Sequence, residues 1–258
     1  MVGAVSLHMM RYLFMGSAIA CLPISAQIAE PILTKSAIPF VLGAGSVKLD
    51  YAGGIGRSGG RSQVIPEATL ETGVVNRLEF LVRFPLIRVT SLSGGPTVVG
   101  GGQLAIGARY LLAGGAERSY AISVQTIVEA PTGDTRLVGN ATQVMGGALV
   151  DWRPASRVVT HSNIMFDGSV GGTTGKSAFL EYSNAVLWTA TDHFLPVFEL
   201  AGSSSTITGR TQLVGQPELI VPIGRHFELK GGLSLGLNSE TPHIGLRTQV
   251  AWFWGNRK

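Results

Sequence analysis

The stretch Val75-Asn-Arg-Leu-Glu-Phe-Leu-Val-Arg-Phe-Pro85, VNRLEFLVRFP, decides how the chain is read. A two-residue break, Asn76-Arg77, gives way to a run in which Leu78, Phe80, Val82 and Phe84 are apolar while Arg77, Glu79 and Arg83 are charged. Successive side chains of a strand point to opposite faces, so this run has one apolar face and one charged face. In a soluble sandwich the apolar face is the core. In a membrane-spanning barrel it meets lipid and the charges line the lumen.

The rest of the chain repeats the pattern. Between Phe40 and Trp254 about twelve stretches of roughly 10–14 residues alternate apolar and polar side chains, and none keeps a helical period. That length suits a tilted strand crossing a bilayer and exceeds the five or six residues usual in sandwiches. The connections alternate too. Asn76-Arg77, the region of Ala113-Gly-Gly-Ala116, Pro154-Ala-Ser156, Thr191-Asp192 and Gly224-Arg225 are short, whereas 52–62, 90–99, 131–140, 168–176, 204–210 and the brief 239–242 are mostly longer and rich in Gly, Ser and Thr. Short turns at one end and longer loops at the other predict an all-β, transmembrane, antiparallel up-and-down β-barrel of about twelve strands, its short turns in the periplasm.

Composition agrees. The 258 residues include 35 glycines and only 14% charged residues, and the formal charge is +4. Mean hydropathy is +0.30, although no long apolar run follows the N-terminus. No basic run or interleaved aromatic patch points to nucleic acid, so no nucleic-acid partner is expected. At the start, Arg11 precedes an apolar stretch from Tyr12 to Ile24 and then Ile-Ser-Ala before Gln27, which reads as a signal peptide cleaved after Ala26. Ala18-Ile-Ala-Cys21 is an imperfect lipoprotein box and leaves lipoprotein processing open. Cys21 is the sole cysteine. Cleavage after Ala26 therefore leaves a mature chain without disulfides, thiol catalysis or cysteine metal sites. The expected division is a signal peptide at 1–26, an N-terminal periplasmic or plug segment at 27–38, and an outer-membrane barrel at 39–258.

On this register Glu67, Glu71, Glu79, Arg83, Arg109, Glu129, Glu181, Glu228, Lys230 and Arg247 face the lumen. Both signs are present, so a cross-strand network of ion pairs is expected rather than a field of one sign. It would either fill the interior of a small barrel or select what passes. Tyr110, Trp152, Trp188, Trp252 and Trp254 all fall near short-turn ends of strands. They read as an aromatic girdle at the periplasmic interface.

The ordered pieces Pro66-Glu-Ala-Thr-Leu-Glu-Thr-Gly-Val-Val-Asn-Arg-Leu-Glu-Phe80, Gly102-Gln-Leu-Ala-Ile-Gly-Ala-Arg-Tyr110, Glu129-Ala-Pro-Thr-Gly-Asp134 and Phe198-Glu-Leu-Ala-Gly202 resemble those of the MetA-pathway of phenol degradation family of outer-membrane β-barrels. The resemblance runs over most of the mature chain and rests on order and spacing. It implies a porin or transporter associated with uptake of aromatic or other hydrophobic compounds. The chain departs from the family at Gln103, where an acidic residue is usual, and in ending Trp254-Gly-Asn-Arg-Lys258 rather than on an aromatic residue.

Site chemistry is sparse. His161, His193, His226 and His243 lie in separate hairpins without metal-ligand spacing, so no metal and no cofactor are expected. No G-x-S-x-G elbow occurs, and no catalytic residue is assigned. His161 with Ser162 or Ser183 is the one pairing that could serve a barrel enzyme acting on lipid. The leading expectation is an outer-membrane channel or transporter for small, aromatic or hydrophobic solutes. Its partners would be outer-membrane lipid, the barrel-assembly machinery and a small-molecule solute. A lipid-modifying barrel and a non-conducting structural barrel stay open.

Overall fold

The computed structural model describes residues 30, 32, 34–40, 43–55, 61–91, 96–173 and 177–255. The expected signal peptide, with Cys21, lies outside them. Thirteen strands follow in order: β1 (Gly45–Ile55), β2 (Arg61–Val75), β3 (Leu78–Ser91), β4 (Val98–Gly101), β5 (Ala105–Gly114), β6 (Tyr120–Glu129), β7 (Thr142–Ala155), β8 (Val158–Val170), β9 (Ala178–Trp188), β10 (Leu195–Ser205), β11 (Thr211–Ile223), β12 (Phe227–Gly236) and β13 (Ile244–Trp254). A single helical turn, α1 (Thr135–Val138), lies between β6 and β7.

Each strand pairs antiparallel with its neighbours in the chain, except that β4 and β5 both pair with β3 and not with each other. The first and last strands then pair from Gly45 opposite Trp254 to Ile55 opposite Ile244. This pairing closes the sheet and removes the exposed edge that an open sheet would carry. The result is a closed antiparallel barrel of twelve staves, because β4 and β5 together make one stave. β4 pairs with the outer part of β3, from Leu86 opposite Gly101 to Val89 opposite Val98. β5 pairs with the inner part, from Leu78 opposite Tyr110 to Arg83 opposite Ala105.

This stave is interrupted at Gly102-Gln-Leu104. The Gly102 N–H donates to the Pro85 carbonyl at 2.8 Å, and a Cβ on Gly102 would sit 2.5 Å from the Pro85 ring. The segment after β6 folds over the gap and supplies the missing bonds. Ala130 N donates to Leu104 O at 2.8 Å, Leu104 N to the Thr132 hydroxyl at 2.9 Å, and Asp134 N to Gly101 O at 2.9 Å. Asp134 also caps α1 through the Arg136 N–H at 3.0 Å. The Pro131-Thr-Gly-Asp134 motif thus seals the barrel wall.

Two loops are shorter than their composition suggested. β1 and β2 stay paired out to Ile55 opposite Ser62, and β3 runs to Ser91, so loop-like glycines and serines are partly strand. Backbone hydrogen bonds do not depend on apolar side chains, and small residues pair as well as large ones. At the other end, strand pairing begins at Gly45, later than residue 40.

The faces are inside out. Leu49, Phe80, Phe84, Ile106, Val124, Ile164, Phe166, Val186, Phe198, Leu229, Leu246 and Val250 are all exposed on the outer surface. Among the described residues, buried polar and charged side chains outnumber buried apolar ones. In water such a surface would be an aggregation hazard; in a bilayer it is the surface that lipid solvates.

Candidate functional site: the lumen and its N-terminal strand

The inward face of VNRLEFLVRFP carries Glu79, Leu81 and Arg83, and its outward face carries Leu78, Phe80, Val82 and Phe84. Glu67, Glu71, Glu79, Arg83, Arg109, Glu129, Glu181, Glu228, Lys230 and Arg247 all lie on the inward face, buried or half-buried. Alternation from neighbouring outward apolar residues puts them there. They do not form one network. Arg83 pairs with Glu129 and lies 3.7 Å from Glu67. Arg109 pairs with Glu79, and Lys230 lies 3.8 Å from Glu228. Glu181 and Arg247 have no hydrogen bond or ion pair among the described residues.

What organises the interior is the N-terminal segment, described at 30, 32 and 34–40, whose described residues bond to the inward face of the wall. Its backbone groups are bonded by the wall in register with the sequence. The Ile32 N–H donates to Glu218 at 3.1 Å, Thr34 N–H to Glu199 at 2.9 Å, Ala37 N–H to Asp151 at 2.9 Å, and Phe40 N–H to Glu79 at 2.8 Å. The Ser36 hydroxyl donates to Asp151 at 2.7 Å. Cations take the carbonyls: Lys230 donates to Glu30 O at 2.5 Å, and Arg109 donates to Ser36 O. The Glu30 carboxylate joins the wall as well, through Lys48 and, at 3.5 Å, Arg109. Lys48 reaches Glu71 at 2.7 Å on its other side.

Carboxylates satisfying N–H groups and cations satisfying carbonyls is how a backbone segment outside the sheet can be buried. Lys48, Asp151, Glu199 and Glu218 therefore matter as much as the residues singled out from sequence. The alternation that exposed Glu79 also marks them: Glu199 sits between outward Phe198 and Leu200, and Asp151 between outward Val150 and Trp152. Glu30 has no such signal, because it precedes the strands.

Apolar side chains close the short-turn end of the interior. Val159, Ala185, Leu187, Leu195, Val197 and Ile220 form one buried cluster on β8 to β11. Ala37 and Ile38 of the inner segment join a second with Leu111, Ala121, Leu149, Met145 and Met165. Toward the longer loops the interior opens into a cavity of about 340 Å³ floored by Lys35 and lined by Arg83, Glu181, Arg247 and the apolar Ile127, Met145, Leu149 and Met165.

The enzyme pairing is not assembled. Ser162 faces outward and donates to the Asn184 side chain at 2.7 Å. His161 faces inward, its Nδ1 2.8 Å from Asp151 Oδ1, while Nε2 meets no partner among the described residues. The serine the structure brings to this group is Ser36, yet it donates to Asp151, so the carboxylate lies between hydroxyl and imidazole. A nucleophile needs its base within hydrogen-bond reach, and here that contact is not made. Among the described residues no cluster of three or more His, Cys, Asp or Glu could hold a metal.

Tyr110, Trp152, Trp188 and Trp252 are exposed on the outer surface. Trp254 lies over Gly45, where a Cβ would come 2.4 Å from the indole, and its ring centroid is 5.5 Å from that of Trp252.

No family model and no curated protein matches this chain, so the resemblance to the phenol-degradation family stands on motif order alone. Solved structures do match. The COG4313 outer membrane channel from Pseudomonas putida F1 aligns with a TM-score of 0.67 at 12% identity, over 88% of this chain and 100% of that one. The NanC porin aligns at 0.56 and 8% identity over 81% and 99% of the two chains. The KdgM porin in complex with disordered oligogalacturonate aligns at 0.54 and 8% identity, also over 81% and 99%. At these identities the likeness is one of fold: this chain has the architecture of outer-membrane β-barrels.

Proposed function

We propose that this chain is an outer-membrane channel that passes small solutes with apolar character, and that residues 30–40 act as its internal plug. The observation that supports this best is the inversion of the closed barrel, apolar outside and polar inside, with an interior cavity on the long-loop side of a segment held by hydrogen bonds. Lipid would contact the outer belt of Leu, Ile, Val and Phe, and the exposed Trp and Tyr near the short turns would sit at the periplasmic interface. Export by a signal peptide at 1–26 and folding by the barrel-assembly machinery belong to the same reading. The family resemblance, where it holds, points to aromatic or other hydrophobic solutes. The segment 30–40 is bonded by single polar anchors rather than a continuous ladder, which suits an element that can shift to open a path.

The test is planar-bilayer conductance of the refolded mature chain, with folding verified by heat-modifiable gel migration. Discrete channel steps that grow when residues 27–40 are deleted support the reading. Folded protein that never conducts, with or without those residues, overturns the channel and leaves a structural barrel. A chain that fractionates as soluble without detergent removes the membrane assignment.

A further inference from the structure

We infer that the interior cavity on the long-loop side of residues 30–40 is a binding site for a small organic monocarboxylate with an apolar body. The inference deepens the channel reading and relies on it only for the route by which a ligand enters.

The cavity wall holds cations that the protein leaves without direct partners. Three cations and one carboxylate line the cavity: Lys35, Arg83, Arg247 and Glu181. Arg83 is neutralised by Glu129 and Glu67. Neither the Lys35 ammonium nor the Arg247 guanidinium has a hydrogen bond or ion pair among the described residues, although carboxylates are plentiful in the interior; the Asn163 amide holds only the Lys35 backbone. Most of those carboxylates are engaged elsewhere, Glu181 and Asp167 being the exceptions. Asp50 accepts from Gln249, and Glu67 serves Arg83 and Thr69. Glu199 serves Thr34 N–H and Gln216, Glu218 serves Ile32 N–H, and Glu30 and Glu71 serve Lys48. Arg247 has Glu199, Asp50, Glu67 and Glu218, and Lys35 has Glu30, Glu67 and Glu71, only as electrostatic neighbours out of direct contact. A half-buried cation without a contacting counter-ion is incompletely compensated, and an anion brought by a ligand supplies that contact.

The remaining wall sets the other end of the ligand. Ile127, Met145, Leu149 and Met165, from β6 to β8, form an apolar patch, and two of the four are methionines, whose flexible thioethers adapt to rings and chains of differing shape. A volume of about 340 Å³ lies at the small end of the range for ligand pockets, which favours a compact ligand. Glu181, four staves from Arg247 around the wall, has no donor among the described residues. It opposes a second negative group, so the site should prefer monocarboxylates to dicarboxylates. No covalent step is involved.

The experiment is calorimetric titration of the refolded mature chain in detergent micelles with four probes: 3-phenylpropanoate, its neutral amide, 3-phenylpropylamine and terephthalate. The expected result is that 3-phenylpropanoate binds at least tenfold more tightly than each of the others. Arg247→Gln and Lys35→Gln should each weaken it about fivefold or more, and the double variant should bind acid and amide alike. Arg247→Lys should retain most of the affinity, and Glu181→Gln should improve terephthalate. Heat-modifiable migration checks that every variant is folded. Equal binding of acid and amide by the wild type, tighter binding of the amine, or a preference that survives in the double variant would each overturn the site. Conductance is measured separately. A protein that binds the acid selectively but never conducts loses the channel reading and keeps the site, whereas a conducting protein without the preference loses the site alone.

Discussion

Replacing Asp151 by alanine should loosen the inner segment without unfolding the barrel. Asp151 is buried on β7 and accepts three hydrogen bonds, from the Ser36 hydroxyl at 2.7 Å, the Ala37 N–H at 2.9 Å and His161 Nδ1 at 2.8 Å. Two of these hold the segment. Hydrogen bonds to a charged group are worth about 1.5–3 kcal/mol each, so the two together contribute about 3 kcal/mol at the lower bound. Deleting the carboxylate also removes its own burial cost, which makes the lower bound the better working figure. That energy corresponds to roughly a hundredfold shift between held and released states near residues 36–37. The anchors at Ile32, Thr34 and Phe40 remain, so release is local. Hydrogen exchange followed by mass spectrometry should show amides in 34–40 exchanging about a hundredfold faster while the paired region 45–55 is unchanged, and bilayer recordings should show more time in larger conductance states. Ser36→Ala, which removes the bond to Asp151 and the longer one accepted from the Ile38 N–H at 3.2 Å, should give at least about a tenfold effect. In the Asp151→Ala background it should add less than it does alone, because its acceptor is gone and only the Ile38 N–H bond is left to lose. A folded Asp151→Ala protein with wild-type exchange at 34–40 and wild-type conductance would refute the idea that wall carboxylates hold this segment.

Phe84→Arg puts a cation on the outer face near the middle of β3, where Phe84 is 56% exposed. In lipid vesicles it should cost about 2–4 kcal/mol in denaturant unfolding, whereas a water-facing surface would tolerate it within about 0.5 kcal/mol. Gly147→Ala would place a Cβ 2.1 Å from the Ile164 carbonyl, so β7 and β8 must separate. We expect a loss of about 1–3 kcal/mol, read as a lower transition temperature for the gel shift. The Asp134 carboxyl, in the segment that seals the wall, is held down at about 2 by the Arg136 guanidinium and N–H that donate to it. Its folded value lies below its unfolded one, so its contribution is present above about pH 4 and is lost as pH falls toward 2. A carboxyl titration by NMR should find a midpoint near 2 that returns toward the ordinary aspartate range in Arg136→Ala, and an unchanged midpoint in that variant would refute the pairing.

The sequence by itself determined the inverted barrel. The period-two alternation of Phe80 against Glu79, or Leu229 against Glu228 and Lys230, sorts side chains onto two faces. The alternation of short and longer connections then decides which face meets lipid. These signals are local, carried by residues within one hairpin, and so they are legible in a line of letters. The interior was legible only in part. Glu79, Arg109 and Lys230 could be placed on the inward face, but not what each one holds, because that depends on a segment up to 200 residues away. Glu30 precedes every strand and belongs to no alternating run, yet Lys48, Arg109 and Lys230 converge on it. The break at Gly102-Gln-Leu104 was hidden for the same reason, since the atoms that compensate it lie in Ala130, Thr132 and Asp134 across a hairpin. Which charges find partners is decided when the barrel closes. Closure leaves the Lys35 ammonium and the Arg247 guanidinium without a direct ion pair among the described residues while Glu199, Glu218 and Asp151 serve backbone N–H groups, and only the tertiary structure brings those competing partners into one space.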